Sequence, residues 1–149
     1  MSTQQLESIV EGFRQLYARW TPGTSIAQMR AQWDAFLTQV SIPASVEHLR
    51  VGEVPCRWIK APRAAPDRVI MYLHGGGYQI GSLDSHHNVM ARLSIASGCS
   101  VLGLSYRLAP EHRFPAALDD ALAVYRWVLG WLASARVAVC GDSAGGGLA

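Results

Sequence analysis

Three continuous apolar runs, Arg68 to Leu73, Val101 to Tyr106 and Arg136 to Cys140, alternate with helical patterns in the second half of the chain. No other feature constrains the fold so tightly. Strands that are apolar on both faces need cover on both faces, and strands alternating with helices are joined by crossovers. The expectation is an α/β fold, a mostly parallel sheet with helices on both sides. The helical patterns lie near His86 to Ala96 and from Pro115 to Leu132, with Pro115 at a favourable first-turn position. After the third run, Gly141 to Gly147 turns into the start of another helix.

The first 42 residues have a different texture. Leu6, Ile9, Val10, Phe13, Leu16, Tyr17 and Trp20 follow helical spacing, and Ser2 with Gln5 has the form of a capping box. Thr21-Pro22-Gly23 ends that helix. A second stripe, Ile26, Met29, Trp33, Phe36, Leu37 and Val40, opens with Ser25 and Gln28. Ordinary core packing explains both stripes. Beyond Pro43, Val46 to Val51 and Val54 to Ile59 read as short strands around a turn at Gly52-Glu53. The chain therefore divides into a helical segment, residues 1–42, and a core, residues 43–149.

Composition excludes several classes. Of 149 residues, 50% are hydrophobic but only 16% charged, against roughly 25% in an average soluble domain. Low charge fits either a small compact protein or a piece whose surface is covered by something absent. A formal charge of +2, with scattered basic residues, builds no phosphate-tracking stripe, so nucleic acid is not an expected partner. Cys56, Cys99 and Cys140 show no CxxC spacing and read as free thiols in a reducing compartment. Met1 to Glu7 lacks the basic and apolar regions of a leader, and no apolar run reaches the ~18 residues of a membrane span. The expectation is a cytoplasmic protein.

Two motifs carry chemistry. Val137-Ala138-Val139-Cys140-Gly141-Asp142-Ser143-Ala144-Gly145-Gly146 places G-x-S-x-G between a buried strand and a helix start, the context of a nucleophile elbow. Gly141 and Gly145 flank Ser143 because a side chain there would collide with the neighbouring strand or helix. A phosphate-binding loop would need Lys and Ser/Thr after Gly146, where Gly147 and Leu148 stand. A dinucleotide fingerprint starting at Gly75 fails at Ile80. The second motif is His74-Gly75-Gly76-Gly77, at the end of another strand. Such a run supplies backbone N–H donors for the oxyanion of acyl transfer, and the side-chain-free backbone lets a substrate approach. A flexible glycine turn is the alternative, and Ser143 downstream weighs against it.

His74 to Gly77, then Tyr106-Arg107-Leu108-Ala109-Pro110-Glu111-His112-Arg113-Phe114-Pro115-Ala116-Ala117, then Gly141 to Gly146, resemble the hormone-sensitive lipase family in its bacterial esterase branch. The likeness covers essentially the whole chain and implies an α/β-hydrolase fold. It implies Ser143 as nucleophile, Gly76, Gly77 and Ala144 as oxyanion-hole donors, and His74 holding the glycine loop, with Gly75, Gly141, Asp142 and Gly145 as motif support. It also implies Arg107 paired with Glu111, the first two helices as a cap shaping an acyl pocket, and short to medium acyl esters as substrates, with no metal and no cofactor. Ser105 departs from the family, which often has an acidic residue there.

The fold's triad runs Ser, Asp or Glu, then His along the chain. His48, His74, His86, His87 and His112 all precede Ser143, and none fits the role. The acid and the base are therefore expected beyond Ala149, in a C-terminal half that is this chain's partner. Asp142 is expected in a local turn or helix start, and Asp119 and Asp120 as dipole partners of a helix start. Two other readings stay open: a small-molecule receptor of the same fold lacking a working histidine, and an inert fragment. Oligomeric state is left open too.

Overall fold

The computed structural model describes residues 2–149, so Met1, the head of the Met1 to Glu7 stretch, lies outside the described residues. Two helices, α1 (Thr3–Ala18) and α2 (Ile26–Leu37), precede a hairpin of β1 (Ser45–Val51) and β2 (Val54–Lys60). Then come β3 (Ala65–Leu73), α3 (His87–Ser97), β4 (Cys99–Leu104), α4 (Ala116–Leu129), β5 (Val137–Gly141) and α5 (Ala144–Leu148). The strands form one sheet in the order β1-β2-β4-β3-β5.

The three apolar runs form the expected parallel unit, with β3 between β4 and β5. The sheet as a whole is mixed. A two-residue turn can join only antiparallel strands, so β1 pairs antiparallel with β2; β2 also lies antiparallel to β4. Alternation along β3 divides the core in two. Val69, Met71 and Leu73 pack with Leu102, Leu104 and the Ala121, Val124 and Val128 face of α4. Tyr72 packs with Ile59, Val101 and the Met90 and Ala91 face of α3. Pro115 stands at the N-cap position of α4, one residue before the expected first turn, and makes no side-chain cap.

Both N-terminal helices carry their capping boxes, Ser2 with Gln5 and Ser25 with Gln28. Core packing does not account for the α1 stripe. Only Leu16 of α1 is buried, and Leu6, Ile9, Val10 and Tyr17 are exposed. A buried aliphatic side chain contributes about 1.5–3 kcal/mol. On that scale α4, with Val124 and Val128 fully buried, is held far more firmly than α1. The helix pair is joined by aromatic contacts, with Phe13 edge-on to Phe36 at 4.9 Å and tilted against Trp33 at 5.9 Å between centroids.

Polar ties fix α2 to the core. Arg30 donates from Nε to the Gln79 carbonyl at 2.7 Å, from Nη2 to the Ala109 carbonyl at 2.9 Å, and in a fork to the Glu111 carboxylate. The guanidinium holds the Glu111 carboxyl down at about 2. Ser82 Oγ donates to Asp34 Oδ1 at 2.8 Å. The expected Arg107–Glu111 pair does not form. Residues four apart face each other on a helix, whereas 107–111 is loop and turn. Arg107 instead donates its backbone N–H, Nε and Nη2 to Asp120 at 2.7–3.0 Å. Asp120 is therefore a buried ion-pair partner rather than a dipole partner at the helix start, while Asp119 does stand in the first turn of α4.

All three cysteines are free, and burial pushes the Cys56 thiol up to about 12. No helix among the described residues is long and apolar enough to cross a membrane.

Candidate active site

β3 and β5 lie side by side in parallel with Leu73 opposite Gly141, so both glycine motifs leave the sheet at the same end. That end, the carboxyl end of the strands, is where open α/β sheets bind ligands. The turn from β5 to α5 is very tight. Ser143 has φ 50° and ψ −121°, a conformation that costs a non-glycine residue about 1–3 kcal/mol. The surroundings enforce it. A Cβ at Gly141 or Gly145 would collide with the Leu73 carbonyl, and at Gly145 also with the His74 carbonyl. α5 thus sits directly on the start of the glycine loop. Ser143 itself is exposed.

The glycine loop folds back on itself, with Gln79 and Ile80 N–H both donating to the Gly76 carbonyl at 3.0 Å. Gly76 at φ 121° and Gly77 at φ 61° occupy backbone space that side chains disfavour. Among the described residues, the amides of Gly76, Gly77 and Ala144 have no hydrogen-bond acceptor. For Ala144 this follows from its place at the start of a helix, where the first N–H groups lack partners.

His74 lies buried beneath the loop, its Nδ1 2.8 Å from the Gly75 carbonyl and its ring stacked on Tyr106 at 4.4 Å. Burial, reinforced by nearby His86, pulls its pKa down to about 4 against the Gly75 contact, leaving a neutral imidazole at neutral pH. The expected local turn is present at the Asp142 backbone, whose carbonyl accepts from Gly145 N–H at 2.8 Å. The side chain does something else. Asp142 Oδ1 accepts from Tyr72 Oη at 2.6 Å and from Gly75 N–H at 2.9 Å, with His86 Nε2 at 3.5 Å. Burial works against the carboxylate, but the Tyr72 bond, His86 and the Gly75 N–H outweigh it and hold the pKa below the ordinary value.

The contacts of Tyr72, Tyr106 and His86 escaped sequence reasoning. A tyrosine inside an apolar strand reads as core, and only its proximity to Asp142 or His74 reveals the hydroxyl's use. Beside α5 an apolar hollow of about 360 Å³ is lined by Tyr78, His112, Phe114, Leu118 and Leu148. No cluster of three or more metal-ligating side chains occurs among the described residues.

A strained serine between a parallel strand and a helix, facing a glycine loop from the adjacent strand, is the arrangement of one fold class. The α/β-hydrolase fold family matches residues 70–149, and the chain belongs to it. Within that family it stands with the bacterial hormone-sensitive lipase group. The crystal structure of an esterase from that group superposes with a TM-score of 0.93 at 41% identity, covering 99% of this chain and 50% of the other. An acetyl-hydrolase of Streptomyces hygroscopicus is 43% identical over 125 residues, 83% of this chain and 40% of the relative. An ethyl acetate hydrolase of Pseudomonas putida is 45% identical over 105 residues, 64% of this chain and 33% of the relative. The chain spans about half the length of the solved esterase, and less of these relatives.

Proposed function

We propose that the complete polypeptide hydrolyses carboxylic esters through an acyl-enzyme on Ser143. The observation that carries this reading is the strained Ser143 backbone at the carboxyl end of β5, beside the glycine loop of β3. Ser143 Oγ attacks the ester carbonyl carbon while its proton passes to a histidine. The carbonyl oxygen becomes an oxyanion held by the N–H groups of Gly76, Gly77 and Ala144. The tetrahedral intermediate then expels the alcohol, which takes the proton from the histidine. Water repeats the sequence on the acyl-serine and releases the acid.

His74 is buried, neutral and engaged with the glycine loop, and its role is to support that loop. The triad histidine and its acid belong to residues outside this chain. The names of the two hydrolase relatives favour small acyl groups, and residues 1–42 act as the cap that shapes the acyl pocket. In the complete polypeptide a fluorophosphonate should label Ser143, and Ser143→Ala should abolish ester hydrolysis, a loss on the order of 10⁶ in turnover. Full activity in the alanine variant would remove the assignment.

A further inference from the structure

The peptide unit between His74 and Gly75 has both of its polar groups held by side chains. Its carbonyl accepts from Tyr106 Oη at 2.5 Å, and its N–H donates to Asp142 Oδ1 at 2.9 Å. A peptide plane has one donor and one acceptor. With both engaged it cannot rotate without breaking both bonds. The two clamping groups are themselves fixed. Tyr106 is buried and stacked on the His74 ring. Asp142 accepts from Tyr72 and stands beside buried His86. Asp142 is also covalently next to Ser143, so one carboxylate links the serine turn to the glycine loop.

We infer that Tyr106 and Asp142 are positioning residues, which set the distance between Ser143 and the Gly76 and Gly77 amides by clamping the His74–Gly75 peptide. This rests on the oxyanion role proposed for those glycines. Both act through the peptide they hold and not through the reacting atoms. Their effect falls on the transition state, where charge reaches the oxyanion, rather than on ground-state binding. A misplacement of about 1 Å can cost on the order of 10²-fold in rate.

The test uses Tyr106→Phe, Asp142→Ala and Asp142→Asn in the complete polypeptide, assayed with a short-chain ester and a trifluoromethyl ketone. Phenylalanine keeps the ring stacked on His74 and removes only the hydroxyl. Tyr106→Phe and Asp142→Ala should each lower kcat by about ten- to a hundredfold with KM little changed. Inhibition by the ketone, whose adduct carries an oxyanion, should weaken by a similar factor. An irreversibly misfolded fraction would lower apparent kcat and leave that constant unmoved. A reversibly unfolded fraction would weaken the ketone and raise KM by the same factor, so weaker inhibition at unchanged KM separates the clamp from lost stability. Asp142→Asn keeps an acceptor for the Gly75 N–H and should restore most of the loss seen with alanine. Unchanged kcat and ketone inhibition in Tyr106→Phe and Asp142→Ala, with Ser143→Ala inactive, would overturn the clamp and leave the esterase reading standing. An active Ser143→Ala would remove both.

Discussion

Ser143 adopts a conformation that glycine reaches without strain, so the nucleophile role proposed for it would set activity against stability at a single residue. Ser143→Gly should therefore be more stable than Ser143→Ala by about 1 kcal/mol, with both inactive; urea unfolding midpoints check this. A second expectation concerns His74, whose pKa falls from 6.5 to about 4 on folding. Between these values the unfolded chain binds the extra proton, so stability is full above pH 6.5 and declines as pH drops toward 4. The loss should reach about 2 kcal/mol by pH 5, and His74→Gln should flatten that slope. An equal slope in the variant would place the titration elsewhere. The tight backbone at Gly76, Gly77 and Ser143 was legible in the sequence because glycines spaced this way at strand ends mark places where backbone must approach backbone closely. The Tyr72 and Tyr106 hydroxyls were not, because their partners lie 70 and 32 residues away.

At the scale of elements, α2 is docked by polar groups rather than by a buried face, since none of its residues is fully buried. Its Arg30 and Asp34 reach the segment just after the glycine loop, at Gln79 and Ser82. Arg30→Ala should loosen both N-terminal helices, because α1 has little else to hold it. Amide exchange across 26–37 should quicken about tenfold or more, since a hydrogen bond to a charged group contributes about 1.5–3 kcal/mol. Arg30→Lys should not restore protection, because an ammonium cannot reproduce the fork to Glu111 and two carbonyls. Removing residues 1–42 should shift acyl-chain preference more than it alters labelling of Ser143; an unchanged substrate profile would reduce the helices to packing. Capping residues and periodicity made both helices legible. Their docking surface was not, because an arginine gives no sign in one dimension of which carbonyls it will meet.

At the scale of the whole molecule, β5 pairs among the described residues only with β3 and leaves its other edge open, with Val139 37% exposed. Open apolar edges recruit other chains. Residues 1–149 expressed alone should be poorly soluble and inactive towards esters, and Val139→Lys should raise the soluble fraction without conferring activity, as sedimentation and an ester assay would show. Robust hydrolysis by the isolated piece, blocked by Ser143→Ala, would require a base not identified among its residues. The parallel unit was legible from three apolar runs, but strand order was not, since apolar runs do not say which neighbour each will choose. That order also bears on how the molecule comes together. The hairpin closes over a two-residue turn, whereas the Gly75–Asp142 bond joins groups 67 residues apart. Long-range pairings are entropically expensive and form slowly. During synthesis the serine turn can meet the glycine loop only after β4 and α4 have emerged. The site is thus a late product of folding, and a chain arrested before that step would carry both motifs with no geometry between them.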